Sequence, residues 1–158
     1  MEPKILEYLT VGLNTTSRHL ETEAASSKPG ALTAEDKESK AEQATGNRLA
    51  VVFLPKPRDN LVYSHLPLLC YTSSAIHKDK AQQTRLVLLD PSCERTLAAA
   101  MGLPRAGVIG VFDDAPGAGS LLQYVRENID PVKIPWLEKA LSGQWMGMNV
   151  ETHIPGQV

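Results

Sequence analysis

The chain has 158 residues, 42% of them hydrophobic, with a formal net charge of −2 at pH 7. That is apolar material for one core and not for two, and the lack of a basic excess excludes a general polyanion binder. No apolar run reaches membrane-span length, the start Met1-Glu2-Pro3-Lys4 lacks the pattern of a secretory leader, and Cys70 and Cys93 have no C-x-x-C spacing, so a soluble, intracellular protein with buried free thiols and no metal or cofactor is expected.

A short helix is expected over 3–10, with residues 10 and 11 able to add a short edge strand. The next stretch is the most informative: Gly12-Leu13-Asn14-Thr15-Thr16-Ser17-Arg18-His19-Leu20-Glu21 reads as a glycine turn feeding a helix capped by Asn14. Helix starts favour anions, and Arg18, four residues after Asn14, shares its face. Residues 24–47 are rich in Ala, Ser, Glu, Lys, Thr and Gly and show no apolar period, the composition of a disordered insertion. Residues 22–47 carry five acids against three lysines, so the whole formal excess falls there.

Leu49-Ala50-Val51-Val52-Phe53-Leu54 is a strand pattern covered on both faces, ended by Pro55. Asp59 or Asn60 caps a helix over 61–70, with a kink or restart at Pro67. A second strand follows over 85–89. Asp90 and Pro91 open a helix that Gly102 stops, 107–112 form a third strand, and Ser120 caps a helix to about Ile129. One more helix begins at Pro135-Trp136-Leu137. Strands alternating with helices predict an α/β fold, a three-layer α-β-α sandwich with a small mixed, mostly parallel sheet.

Several residues invite chemistry and do not carry it. His65, in an apolar helix, reads as a packing histidine. Asp113-Asp114 precede a Pro-Gly turn and read as solvated loop. Gly117-Ala118-Gly119-Ser120 lacks the spacing of a phosphate loop, and Ser92-Cys93 have no base beside them in the sequence. Trp136 belongs either to the protein's own surface or to a partner contact.

Three segments together resemble a family. The stretch from Gly12 to Glu21 resembles the G-x-N-E-x-T-K-x-L-E motif of the kink-turn RNA-binding ribosomal protein superfamily, the L-seven-Ae type. His65-Leu66-Pro67-Leu68-Leu69-Cys70 resembles its H-L-P-x-L-C segment. Leu97-Ala98-Ala99-Ala100-Met101-Gly102-Leu103-Pro104-Arg105-Ala106-Gly107-Val108 resembles the helix, glycine, loop and strand of its second RNA contact. Within it, the Leu103-to-Gly107 loop and the late Pro135-Trp136-Leu137 are most similar to the fungal Pop-three-type subunit of ribonuclease P and ribonuclease MRP.

The resemblance implies an RNA site of Gly12, Asn14, Thr15, Arg18, Leu103, Pro104, Arg105 and Ala106, with no catalytic residue. Gly12 would let the backbone approach the RNA, Asn14 would bond a base edge, and Arg18 would fork onto guanine or phosphate. The 103–106 loop would cover an unstacked nucleotide. Arg18 stands where the family has lysine, and Thr15 where it usually has glutamate, which leaves open a related irregular stem in place of a standard kink-turn. The implied function is a non-catalytic subunit supporting tRNA 5′ and rRNA processing in nucleus and nucleolus. Its partners would be the ribonuclease P/MRP RNA and other protein subunits, with no membrane. On this reading 1–129 form the domain and 130–158 a C-terminal extension with a short helix. The alternatives are a kink-turn protein of another ribonucleoprotein, such as a box C/D particle or the ribosome, and an acidic protein-protein adaptor of the same fold.

Overall fold

A computed structural model describes residues 4–26, 47–55, 61–74, 79–144 and 147. The chain opens with a 3-10 turn, Lys4–Tyr8, and continues as β1 (Leu9–Val11), α1 (Leu13–Ser26), β2 (Leu49–Leu54), α2 (Leu66–Ser73), β3 (Arg85–Leu88), α3 (Cys93–Ala100), β4 (Ile109–Phe112), α4 (Gly119–Asn128) and α5 (Pro135–Leu141). Most of the expected insertion, 27–46, and the proposed caps Asp59 and Asn60 lie outside the described residues, while 24–26 belong to α1.

The four strands form one open sheet in the order β1-β4-β2-β3. The α/β sandwich with a mixed sheet is as expected, but the sheet is not mostly parallel. β4 pairs antiparallel with both β1 and β2, and only β2 and β3 pair in parallel. The cause lies between α3 and β4. A parallel crossover needs a connection that carries the chain back to the other end of the sheet, as the one through the eight-residue α2 does between β2 and β3. By contrast α3, of the same length, stops in a reversing turn at Gly102 (φ +67) that returns the chain to the end it left. There Leu103 N–H donates to Ala98 O (2.9 Å) and Gly102 N–H to Ala99 O (3.2 Å), the paired bonds of a Schellman cap.

Both sheet faces are covered. Leu20 of α1 and Leu66 and Cys70 of α2 pack on Leu49, Val52, Leu54 and Phe112. On the other face Leu122 and Val125 of α4 cover Ala50, Val51 and Val111, and Ala98 of α3 meets Ile109 and Phe53. A bulge between Leu49 and Val51 lets adjacent Ala50 and Val51 face the same way. Burial pushes the Cys70 thiol up to about 12, so it is inert, while Cys93 is half-buried.

The restart allowed for at Pro67 is what the structure has: a 3-10 turn, Leu61–Tyr63, and then a separate helix with Pro67 in its first turn. One further reading is corrected: Ser120 does not cap α4. The chain winds into the helix through tight turns, and the Ala118 carbonyl accepts the Leu122 N–H (2.9 Å).

At the far end of α1, the insertion's flanks are drawn together. Glu23 Oε1 accepts the Leu49 N–H at 2.9 Å, and His19 Nε2 donates to Asn47 O at 2.9 Å while its ring packs edge-on against Phe112. Burial raises the Glu23 carboxyl above its usual range, against the lowering effect of the Leu49 bond and His19. Arg48 and Arg126 both pair with Asp113. On the β3 edge, the nearly buried Arg85 donates from Nε to Ile129 O (3.0 Å) and pins the chain leaving α4, after which Val132 packs into the α1–α2 face.

Gly110 is the tightest point of the sheet. A Cβ there would lie 2.8 Å from Leu49 Cδ2 and closer still to Thr10 Oγ1, which is hydrogen-bonded to Thr16 Oγ1 inside the core (2.9 Å). Gly110→Ala is expected to destabilise the fold by about 1–3 kcal/mol through overpacking, measured as a lower urea midpoint. An unchanged midpoint contradicts this packing.

Candidate nucleic-acid interface

The direction of the strands decides where the functional candidates gather. β1, β2 and β3 all run toward one end of the sheet, where each hands over to a helix: α1 directly, α2 and α3 after short connections. β4 runs the other way, so the 102–107 loop enters it at that same end. In open α/β sheets this carboxyl end is where ligands bind, and three helix N-termini there add positive partial charge that the formal net charge of −2 does not count.

Gly12 joins the two predicted contact segments. It adopts φ +95, a conformation that favours glycine, and its N–H donates to Val108 O at 2.8 Å. A Cβ at Gly12 would meet nothing within 4 Å, so the glycine is required by backbone conformation and leaves open space above it. The Gly12 carbonyl also accepts the Thr16 N–H (3.2 Å), which makes Gly12 the residue that opens α1. Asn14 is therefore not the cap. It stands in the first turn with its side chain outward.

Asn14, Thr15 and Arg18 are exposed, and no described residue bonds their side chains. Between them Thr16 and Ser17 turn inward. Ser17 Oγ is hydrogen-bonded to His65 Nε2 (3.0 Å), which fastens the start of α2 to α1. His65 has the structural contact expected of it, although its ring is exposed. The result is a rigid helix face that presents an amide, a hydroxyl and a guanidinium one turn apart.

The 103–106 loop divides. Leu103, Pro104 and Arg105 are exposed, while Ala106 is fully buried against Ala98 and Ile109. The Ala106 methyl anchors the loop and does not face a ligand. Beside the loop lies an open groove of about 760 Å³, lined by Ser92, Glu94, Arg95 and Thr96 at the start of α3 and by Leu103 and Arg105. The sequence did not single out Arg95 or Thr96. Their approach to the loop is made by the Schellman turn; Gly102 marks where that helix ends but not where the loop after it folds back. Among the described residues, no three His, Cys, Asp or Glu side chains gather as a metal would require, and no helix is long and apolar enough to cross a membrane.

The fold is an α/β sandwich whose exposed candidate groups stand on a helix start and a capped loop at the carboxyl end of the sheet. Residues 2–139 match the family model described as RNase P subunit Pop3. The chain belongs to this family of ribonuclease P protein subunits. It is also similar to the Ribonucleases P/MRP protein subunit pop3 of Schizosaccharomyces pombe, 33% identical over 93 residues, 57% of this chain and 43% of the relative. The chain thus spans less than half the length of the curated relative it matches.

The double variant Asn14→Ala, Arg18→Ala changes only exposed side chains. It is expected to leave the urea midpoint unchanged within about 0.5 kcal/mol and to weaken RNA binding about tenfold or more in a gel shift. Undiminished affinity would assign this face to another role and favour an adaptor.

Proposed function

We propose that this protein is a non-catalytic RNA-binding subunit of ribonuclease P and ribonuclease MRP, supporting tRNA 5′ maturation and rRNA processing in the nucleus and nucleolus. The observation that carries the proposal is family membership over 2–139, a span that includes both α1 and the 103–106 loop. In this reading the particle's RNA carries the phosphodiester chemistry, and the protein holds that RNA in shape.

The proposed contacts are those at the carboxyl end of the sheet. Gly12 leaves room for RNA to approach the backbone, Asn14 and Thr15 hydrogen-bond base edges or sugar, and Arg18 forks onto guanine or phosphate. Leu103 and Pro104 cover an unstacked base, Arg105 supplies a cation, and Ala106 supports them from the core. Charge economy supports the arrangement: a chain with net charge −2 gains little from long-range attraction, so affinity comes from a few shaped contacts and from neighbouring subunits. Residues 1–129 make the RNA-binding domain, interrupted after α1 by the segment 27–46, and 130–158 extend it with α5 as a candidate contact to other subunits. Trp136 and Leu141 are exposed there.

Thr15 shapes the RNA preference. A hydroxyl accepts a nucleobase amine more weakly than a carboxylate does, which favours an irregular stem or a shared protein-RNA site over a standard kink-turn. Purification of the tagged chain from its host is expected to enrich the ribonuclease P and ribonuclease MRP RNAs together. Recovery of ribosomal or small nucleolar RNA alone contradicts the assignment.

A further inference from the structure

The groove between α3 and the 103–105 loop contains more than the loop contacts use. Arg95 and Thr96 are exposed on the outer side of α3, and Arg105 faces the same groove from the loop. No described residue forms an ion pair with either arginine, and Glu94 is the single acid among the lining residues. Among the other described arginines, Arg48 and Arg126 share Asp113 and Arg85 is spent on main-chain carbonyls, while Arg18 stands open on α1 as these two do on the groove. Two cations left open to one groove of about 760 Å³, with the hydroxyls of Ser92 and Thr96 beside them, form a chemical match for phosphodiester oxygens.

We propose that the RNA-contact surface continues over the loop onto α3, with Arg95, Thr96 and Arg105 holding the sugar-phosphate backbone of the strand that leaves the α1 face. This rests on the RNA-binding reading above and extends it. The path is set by topology. α1 lies on one face of the sheet and α3 on the other, and the 102–107 loop bridges them at the end where Gly12 and Val108 meet. A strand gripped at Arg18 that passes the exposed Leu103 therefore reaches the groove next. Leu103 and Pro104 form an apolar wall for a base or ribose, and the arginines stand on the polar side. An acidic protein segment would need several cations along an extended line, whereas this groove is short and adjoins the proposed base contacts, so RNA is the occupant it fits.

The test is salt-dependent binding of the full chain to transcribed ribonuclease P RNA from its host. Arg95→Ala is expected to lower affinity about threefold to tenfold and to reduce the salt slope by about one contact. Arg95→Glu should lower it further, and Arg95→Lys should retain most of it. Thermal midpoints should not move, because the side chain is exposed. If Arg18→Ala weakens binding while Arg95→Ala and Arg95→Glu do not, the extension onto α3 is overturned and the RNA-binding reading stands. If Arg95→Glu instead abolishes capture of an acidic protein subunit with RNA affinity intact, the groove belongs to a protein partner and the proposal is wrong. Failure of the unaltered chain to bind that RNA overturns both.

Discussion

The backbone hydrogen bond from Gly12 to Val108, 2.8 Å long, closes the seam between β1 and β4, and the candidate interface is assembled on that seam. Antiparallel pairing brings the end of one strand to the start of the other, so the helix that follows β1 and the loop that precedes β4 become neighbours although about ninety residues separate them. Two conditions hold the seam together. Gly12 must take a left-handed turn, and Gly110 must lack a side chain so that Thr10, Thr16 and Leu49 can close over β4.

The placement of β4 also separates the poles of the molecule. Helix starts and open arginines collect at the carboxyl end of β1, β2 and β3. At the opposite end Glu23 and His19 draw Leu49 and Asn47 against α1, and Arg48 pairs with Asp113 after β4. The described part of α1 ends at Ser26, about 12 Å along the helix from Arg18, and the chain is described again at Asn47, held by His19 on the same helix.

Much of this was legible in the sequence, for identifiable reasons. The β2 strand, Leu49–Leu54, matched its expected bounds because a continuous apolar run buried on both faces has few alternatives. The shared outward face of Asn14 and Arg18 followed from helical periodicity, Thr15 entered through the family resemblance, and β1 was foreseen as a short edge strand. Strand direction was not legible, since alternating strands and helices suggest parallel crossovers until the path of the chain through the Schellman turn after α3 is known. The roles of Gly12 and Asn14 were exchanged, because a residue favoured at a cap by its side chain is also suited to a ligand-facing first turn. Ala106 looked like a contact in the motif and is an anchor in the fold, because burial depends on Ala98 and Ile109 arriving from other elements.

Photocrosslinking in the assembled particle tests the central claim most directly. A photoreactive residue at position 18 or position 105 is predicted to label neighbouring nucleotides of the ribonuclease P or ribonuclease MRP RNA. The same residue at position 120, at the start of α4 on the opposite pole, should label none of that RNA element. Silence at 18 and 105, or labelling of unconnected RNA elements from the two positions, contradicts a single interface at the carboxyl end of the sheet.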